Sequence, residues 1–131
     1  MKQTISENDR YKLEIDIAKN RLYFTPQREW ESPADVPNYL DDVRKCATKL
    51  KRGFSALSDT SLTTVFSPEV NALLMESIEI MKGLGQWKTA VFNKSIVLDI
   101  YLDKIYKKAD REHVELRTFN DLEEAEKWLD A

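Results

Sequence analysis

The chain reads as an α/β domain. The expected architecture is a mixed five-stranded sheet with four mostly parallel strands in βα units, an N-terminal β-hairpin and four main helices. Three observations predict it. Segments with apolar period two alternate with segments of period 3.6. The connections between them are short. The helical segments open on capping residues and close on glycine or cationic residues.

The hairpin comes first. Tyr11, Leu13, Ile15 and Ile17 alternate with Lys12, Glu14 and Asp16, the period of a half-buried strand. Ala18-Lys19-Asn20 is a turn, because Asn tolerates a left-handed backbone. Leu22 and Phe24 carry the return strand, and Pro26 ends the regular pairing, so residues 10–26 form the hairpin. A loop with Trp30 follows.

The first helix is expected over Val36 to Lys51, with Asp35 as N-cap and Pro37 tolerated in the first turn. Its stripe is Val36, Tyr39, Leu40, Val43, Cys46, Ala47 and Leu50. Lys49, Lys51 and Arg52 suit the negative end of the helix dipole, and Gly53 stops it. Phe54 to Ser58 is a short central strand. Ser67-Pro68-Glu69 opens a second helix with the stripe Val70, Leu73, Leu74, Met81 and Leu84, which ends at Gly83 and Gly85.

Trp87 to Phe92 is a strand, with Trp87, Thr89 and Val91 facing one way and Lys88, Ala90 and Phe92 the other. Ile96 to Ala109 is a third helix and Val114 to Phe119 the last strand. Asn120, with Glu123 completing a capping box, opens a fourth helix whose buried face is Leu122, Ala125 and Leu129, with Trp128 on its flank. Strands joined through helices in this way run parallel.

The 131 residues suit one domain over residues 1–131. Charged residues make up 33% and the net charge is −3, without a basic stripe, which points away from nucleic acid. No apolar run approaches the ~18 residues of a membrane span, and no signal-peptide h-region follows Met1. With one cysteine, the expectation is a cytoplasmic protein.

The order of elements resembles the STAS domain, the SpoIIAA-like fold of the anti-sigma-factor antagonists. Three stretches are similar to a bacterial subgroup related in fold to lipid-binding SEC14 domains: Lys51 to Asp59, Gly85 to Phe92, and Thr118-Phe119-Asn120-Asp121 through Trp128-Leu129. The resemblance implies a non-enzymatic regulatory or protein-binding module. The SEC14 likeness implies, as an alternative, a carrier or sensor of a small apolar ligand. An enzyme is a further alternative, disfavoured because no nucleophile–base pair stands at an informative spacing. In the antagonists, a serine in an Asp-Ser-Ser-Gly-like pattern at the start of the second helix is phosphorylated. This chain has Phe66-Ser67-Pro68-Glu69-Val70 there, without the Asp and Gly. Ser67 is the one nearby hydroxyl and the candidate regulatory residue, but a serine before proline is amply explained as an N-cap, which is the favoured reading.

No residues are expected to be catalytic, to ligate metal or to bind a cofactor. His113 is the only histidine, without a cysteine cluster to make a zinc site. Cys46 sits in an apolar stripe and reads as a structural thiol. Asp121, Glu123, Glu124 and Glu126 read as a solvated helix start. The sequon Asn93-Lys94-Ser95 has no secretory context. Thr60, Ser61, Thr63 and Thr64 read as turn formers. Ile96 and Ile100 lie on the charged side of the third helix. Either the hairpin or the fourth helix covers them, which is the favoured reading, or with Phe66 they are candidates for a self-association or protein-partner surface, or for the lip of an apolar pocket. An apolar cavity would be bounded by residues such as Phe66, Met75, Ile78 and Tyr101.

Overall fold

A computed structural model describes residues 1–62, 67–92 and 115–131. Six strands form one sheet in chain order: β1 (Gln3–Glu7), β2 (Tyr11–Asp16), β3 (Arg21–Pro26), β4 (Ser55–Asp59), β5 (Lys88–Phe92) and β6 (Glu115–Phe119). The first three pair antiparallel, and β3 through β6 pair parallel. Three α-helices lie among the described residues: α1 (Tyr39–Thr48), α2 (Pro68–Gly83) and α3 (Leu122–Asp130). The α/β class and the parallel run are as expected, but the sheet has six strands rather than five. The expected third helix over residues 96–109 lies outside the described residues.

The added strand is β1, an edge strand with mostly exposed side chains and a register irregularity between Thr4 and Ser6. Its sequence carries a single large apolar residue, Ile5, so it has no period-two signal. Asn20 adopts φ 54°, which closes the hairpin turn as its residue type requires. Ile17 lies past the strand end and is 62% exposed, so the apolar alternation stops one residue early.

The first helix starts later than expected, because residues 36–37 interrupt it. Asp35 closes a separate 3₁₀ turn, Pro33–Asp35, where its Oδ2 accepts from the backbone N–H groups of Glu31 and Ser32. Pro37 pushes Val36 out of the helical region, to φ −134° and ψ 61°, so the helix restarts at Tyr39 behind Asn38. At its other end the N–H groups of Lys49 and Leu50 make tightened, 3₁₀-type bonds to Cys46 and Ala47. The expected stripe nevertheless packs into the core as a whole.

The strand faces divide the molecule into two layers. Leu13, Ile15, Leu22 and Ala56 meet α1 and α2 on one face. The alternate residues Tyr23, Leu57 and Ala90 meet α3 on the other. All five residues of β5 are buried, as a strand covered on both faces requires. Gly85, at φ +107°, turns the chain from α2 towards β5. A side chain there would meet Arg52 Cα at 2.9 Å, so the position needs glycine.

Candidate ligand cavity

Between α1, α2 and the sheet lies a cavity of about 40 Å³. Its position follows from residue size. On the face that α2 covers, β2 and β3 present Leu13, Leu22 and Phe24, whereas β4 and β5 present Ala56, Ser58 and Thr89. The helix side adds Tyr39 and Val43 from α1, and Leu74, Ser77, Ile78 and Met81 from α2. Small strand residues opposite a helix leave space that neighbouring side chains do not fill.

The rim beside the cavity is aromatic. Tyr11, Phe24, Trp30 and Tyr39 pack mutually, with ring centroids 5.0–5.9 Å apart. Trp30, a loop residue by sequence, is 2% exposed and its indole N–H donates to the Arg10 carbonyl at 2.9 Å. Tyr11 is tied down by its hydroxyl, which donates to Asp42 Oδ2 at 2.5 Å, and Ser6 donates to the same oxygen at 2.9 Å. Burial, then the Asp42 contact, pushes the Tyr11 hydroxyl up to about 12.

Most polar groups lining the cavity are paired. The Tyr39 hydroxyl donates to Ser77 Oγ, and Ser77 donates to the Leu74 carbonyl at 2.7 Å. Thr60 donates to the Phe92 carbonyl at 2.8 Å. The Gln86 side-chain N–H donates to Thr89 Oγ1, but Gln86 Oε1 has no hydrogen-bond partner among the described residues. No Asp, Glu, Lys, Arg or His is among the described residues of the lining.

The opposite face carries an open groove of about 370 Å³, lined by Met1, Lys2, Glu14, Asp16, Tyr23 and Glu126 among others. Its chemistry is ionic. Arg21, 2% exposed, donates to Glu126 at 2.7 Å, to Asp130 at 2.8 Å and to Ser55 Oγ at 2.9 Å. Lys19 also donates to Glu126 at 2.9 Å. Burial alone would raise the Glu126 carboxyl. Hydrogen bonds from Lys19 and Tyr23 and the charge of Arg21 outweigh that and hold it below the usual carboxylate range. Lys88 is buried between Trp87 and Trp128 and donates to the Trp128 carbonyl at 2.9 Å, at the negative end of α3. Glu126 is therefore a structural anchor rather than part of a solvated helix start. Leu122, expected on the buried face of α3, is 42% exposed at the groove's edge.

Of the residues singled out by sequence, Ile78 lines the cavity and Met75 does not. Phe66, Ile96, Ile100, Tyr101, His113 and the sequon lie outside the described residues. Ser67 caps α2, with its Oγ accepting from the Val70 N–H at 3.3 Å. The cap of α3 is Asp121 rather than Asn120. Its Oδ1 accepts from Glu123 at 2.8 Å and Glu124 at 3.4 Å, because the helix begins one residue later than the capping-box pattern suggested. Cys46 is fully buried. Burial first, then the charge of Asp42, pushes its thiol up to about 12. Gln86, Ser77 and Thr89 were missed as site residues. The legible signal was the run of small residues, Ala56 and Ser58, on one face of the central strand.

No group of three or more metal-ligating side chains occurs among the described residues, and no helix among them is long and apolar enough to cross a membrane. Comparison with protein-family models, with curated proteins and with solved structures finds no match.

Proposed function

We propose that this chain is a non-enzymatic, STAS-like regulatory module whose signal is a small apolar ligand held between α1, α2 and the sheet. One observation carries the reading: the cavity lies between the helices and the sheet, is walled mainly by apolar side chains, and has no Asp, Glu, Lys, Arg or His among the described residues of its lining. The topology is consistent with it, since a hairpin leads into parallel strands that neighbour one another in chain order. The non-enzymatic part rests on two nucleophile-type side chains, Cys46 and Ser67. The Cys46 thiol is buried and protonated, and the Ser67 hydroxyl is engaged as a helix cap. A protein partner would read the occupied state, and a cytoplasmic setting suits the buried free thiol.

Xenon under pressure tests the reading, because it enters apolar cavities without needing a polar partner. Amide resonances of α2 and β4 should shift on xenon uptake, and Ala56→Val should abolish the shifts by filling the space. Absence of uptake by the wild-type protein, or uptake undiminished in Ala56→Val, would refute it.

A further inference from the structure

We propose that the ligand of this cavity is a small neutral alcohol, with its hydroxyl donating to Gln86 Oε1. The inference rests on the cavity reading above and adds the chemistry of the ligand's head. Gln86 is 5% exposed and lines the cavity. Its backbone is locked where α2 turns into β5, since its N–H donates to the Met81 carbonyl at 3.0 Å. Its side-chain N–H group is committed to Thr89 Oγ1, and its carbonyl oxygen has no partner among the described residues. A buried acceptor left unpaired is costly, so a ligand that supplies a donor gains what an unpaired state forfeits.

The lining discriminates between head groups. A carboxylate or an ammonium would find no opposite charge among the described lining residues to offset its desolvation. A ketone or an ester brings only acceptors and leaves Gln86 Oε1 unpaired. An alkane fills space and does nothing for the amide. A hydroxyl donates to Gln86 and can accept from Thr89, whose oxygen already takes the Gln86 N–H. The volume sets the length. A water needs roughly 10–15 Å³ measured this way, so the space suits about three or four non-hydrogen atoms. Longer chains require α2 to move outward.

The test compares 2-propanol with acetone, two molecules of nearly the same shape, by nuclear magnetic resonance titration of the Gln86 side-chain amide. The expected result is half-saturation by 2-propanol at a concentration at least tenfold below that of acetone, as a site built around a hydroxyl rejects its analogue. Gln86→Met keeps the shape and removes the acceptor, so, read from the backbone amide of Thr89 in both proteins, it should erase the difference while xenon still binds. Equal or tighter binding of acetone overturns the proposal, as does a preference that survives in Gln86→Met. If Gln86→Met does not fold, the wild-type protein still decides. A water signal that stays in contact with the Gln86 amide at saturating 2-propanol means the site holds water only, and the proposal fails. Xenon uptake without alcohol preference sinks this inference and leaves the cavity reading standing. Loss of both sinks both.

Discussion

The two faces of the sheet are built from the same strands and held by opposite physics. On the α1/α2 face the contacts are apolar and aromatic, and the strand residues taper from Leu22 and Phe24 to Ala56 and Ser58. On the α3 face a short helix is fastened by Arg21, Lys19 and Lys88 to Glu126, Asp130 and the Trp128 carbonyl. The difference teaches where each layer can give. Apolar packing is non-directional and tolerates a void at its thin end. An ionic clamp is directional and fixes a nine-residue helix that buries only Ala125 and Leu129.

The comparison breaks most severely at Trp30. Trp30→Ala removes the ring on which Tyr11, Phe24 and Tyr39 converge, and should cost about 3–5 kcal/mol in urea denaturation. A loss below about 1 kcal/mol would mean that the aromatic cluster is not what holds this face.

The clamp should respond asymmetrically. Glu126→Ala leaves a guanidinium that is 2% exposed with only Asp130 as carboxylate partner and should cost about 2 kcal/mol. Arg21→Met leaves carboxylates whose side chains are already 27% and 52% exposed, so it should cost about 1 kcal/mol or less. Equal costs would contradict the view that the buried cation is the sensitive partner.

The response to pH sharpens the contrast. The hydrogen bond and charge of Arg21 hold the Asp130 carboxyl below the usual range, and Glu126 is likewise held below it. For such acids the stabilisation is present above the unfolded value, near 4, and disappears as pH falls through the lower folded value. Resonances of α3 should therefore shift on acidification below about pH 4 before those of α1. Tyr11 has the opposite sign. Its contribution is complete below its ordinary value near 10 and is lost as pH rises towards about 12. Tyr23 on the α3 face is also raised, by burial and then its bond to Glu126, so alkali loads both faces. In acid the lowered carboxyls are Glu126, Asp130 and Asp16 on the α3 face, against Asp35 in the turn that precedes α1. Simultaneous loss of both faces in acid would contradict this.

The helix caps give the smallest effects. Asp121 holds two backbone N–H groups, whereas Ser67 holds one at 3.3 Å. Asp121→Ala should cost about 1 kcal/mol and Ser67→Ala about half that in thermal melts, with Ser67→Asp close to neutral. A larger loss for Ser67→Ala would give Ser67 a role beyond capping.

Much of the frame was legible because its signals are local. The hairpin alternation, the left-handed Asn20, the Ser67 cap and the stripes of α1 and α2 each depend on residues within a few positions of one another. The start of α1 was misread because the restriction that Pro37 imposes on Val36 outweighed an otherwise helical pattern.

What the tertiary structure alone decided is the chemistry of the two faces. Arg21 meets Glu126 across 105 positions of sequence, and Tyr11 meets Asp42 across 31. Nothing near either residue signals its partner. Strand β1 acquires its structure by pairing with β2, with only one large apolar residue of its own. The cavity is a shortage of volume summed over β4, β5 and α2, three segments that the chain brings together only on folding. Local sequence therefore determined which segments are strands and helices. Burial and long-range pairing determined which polar groups are satisfied, and Gln86 Oε1 has no partner among the described residues because both its neighbours and its burial are set by the fold.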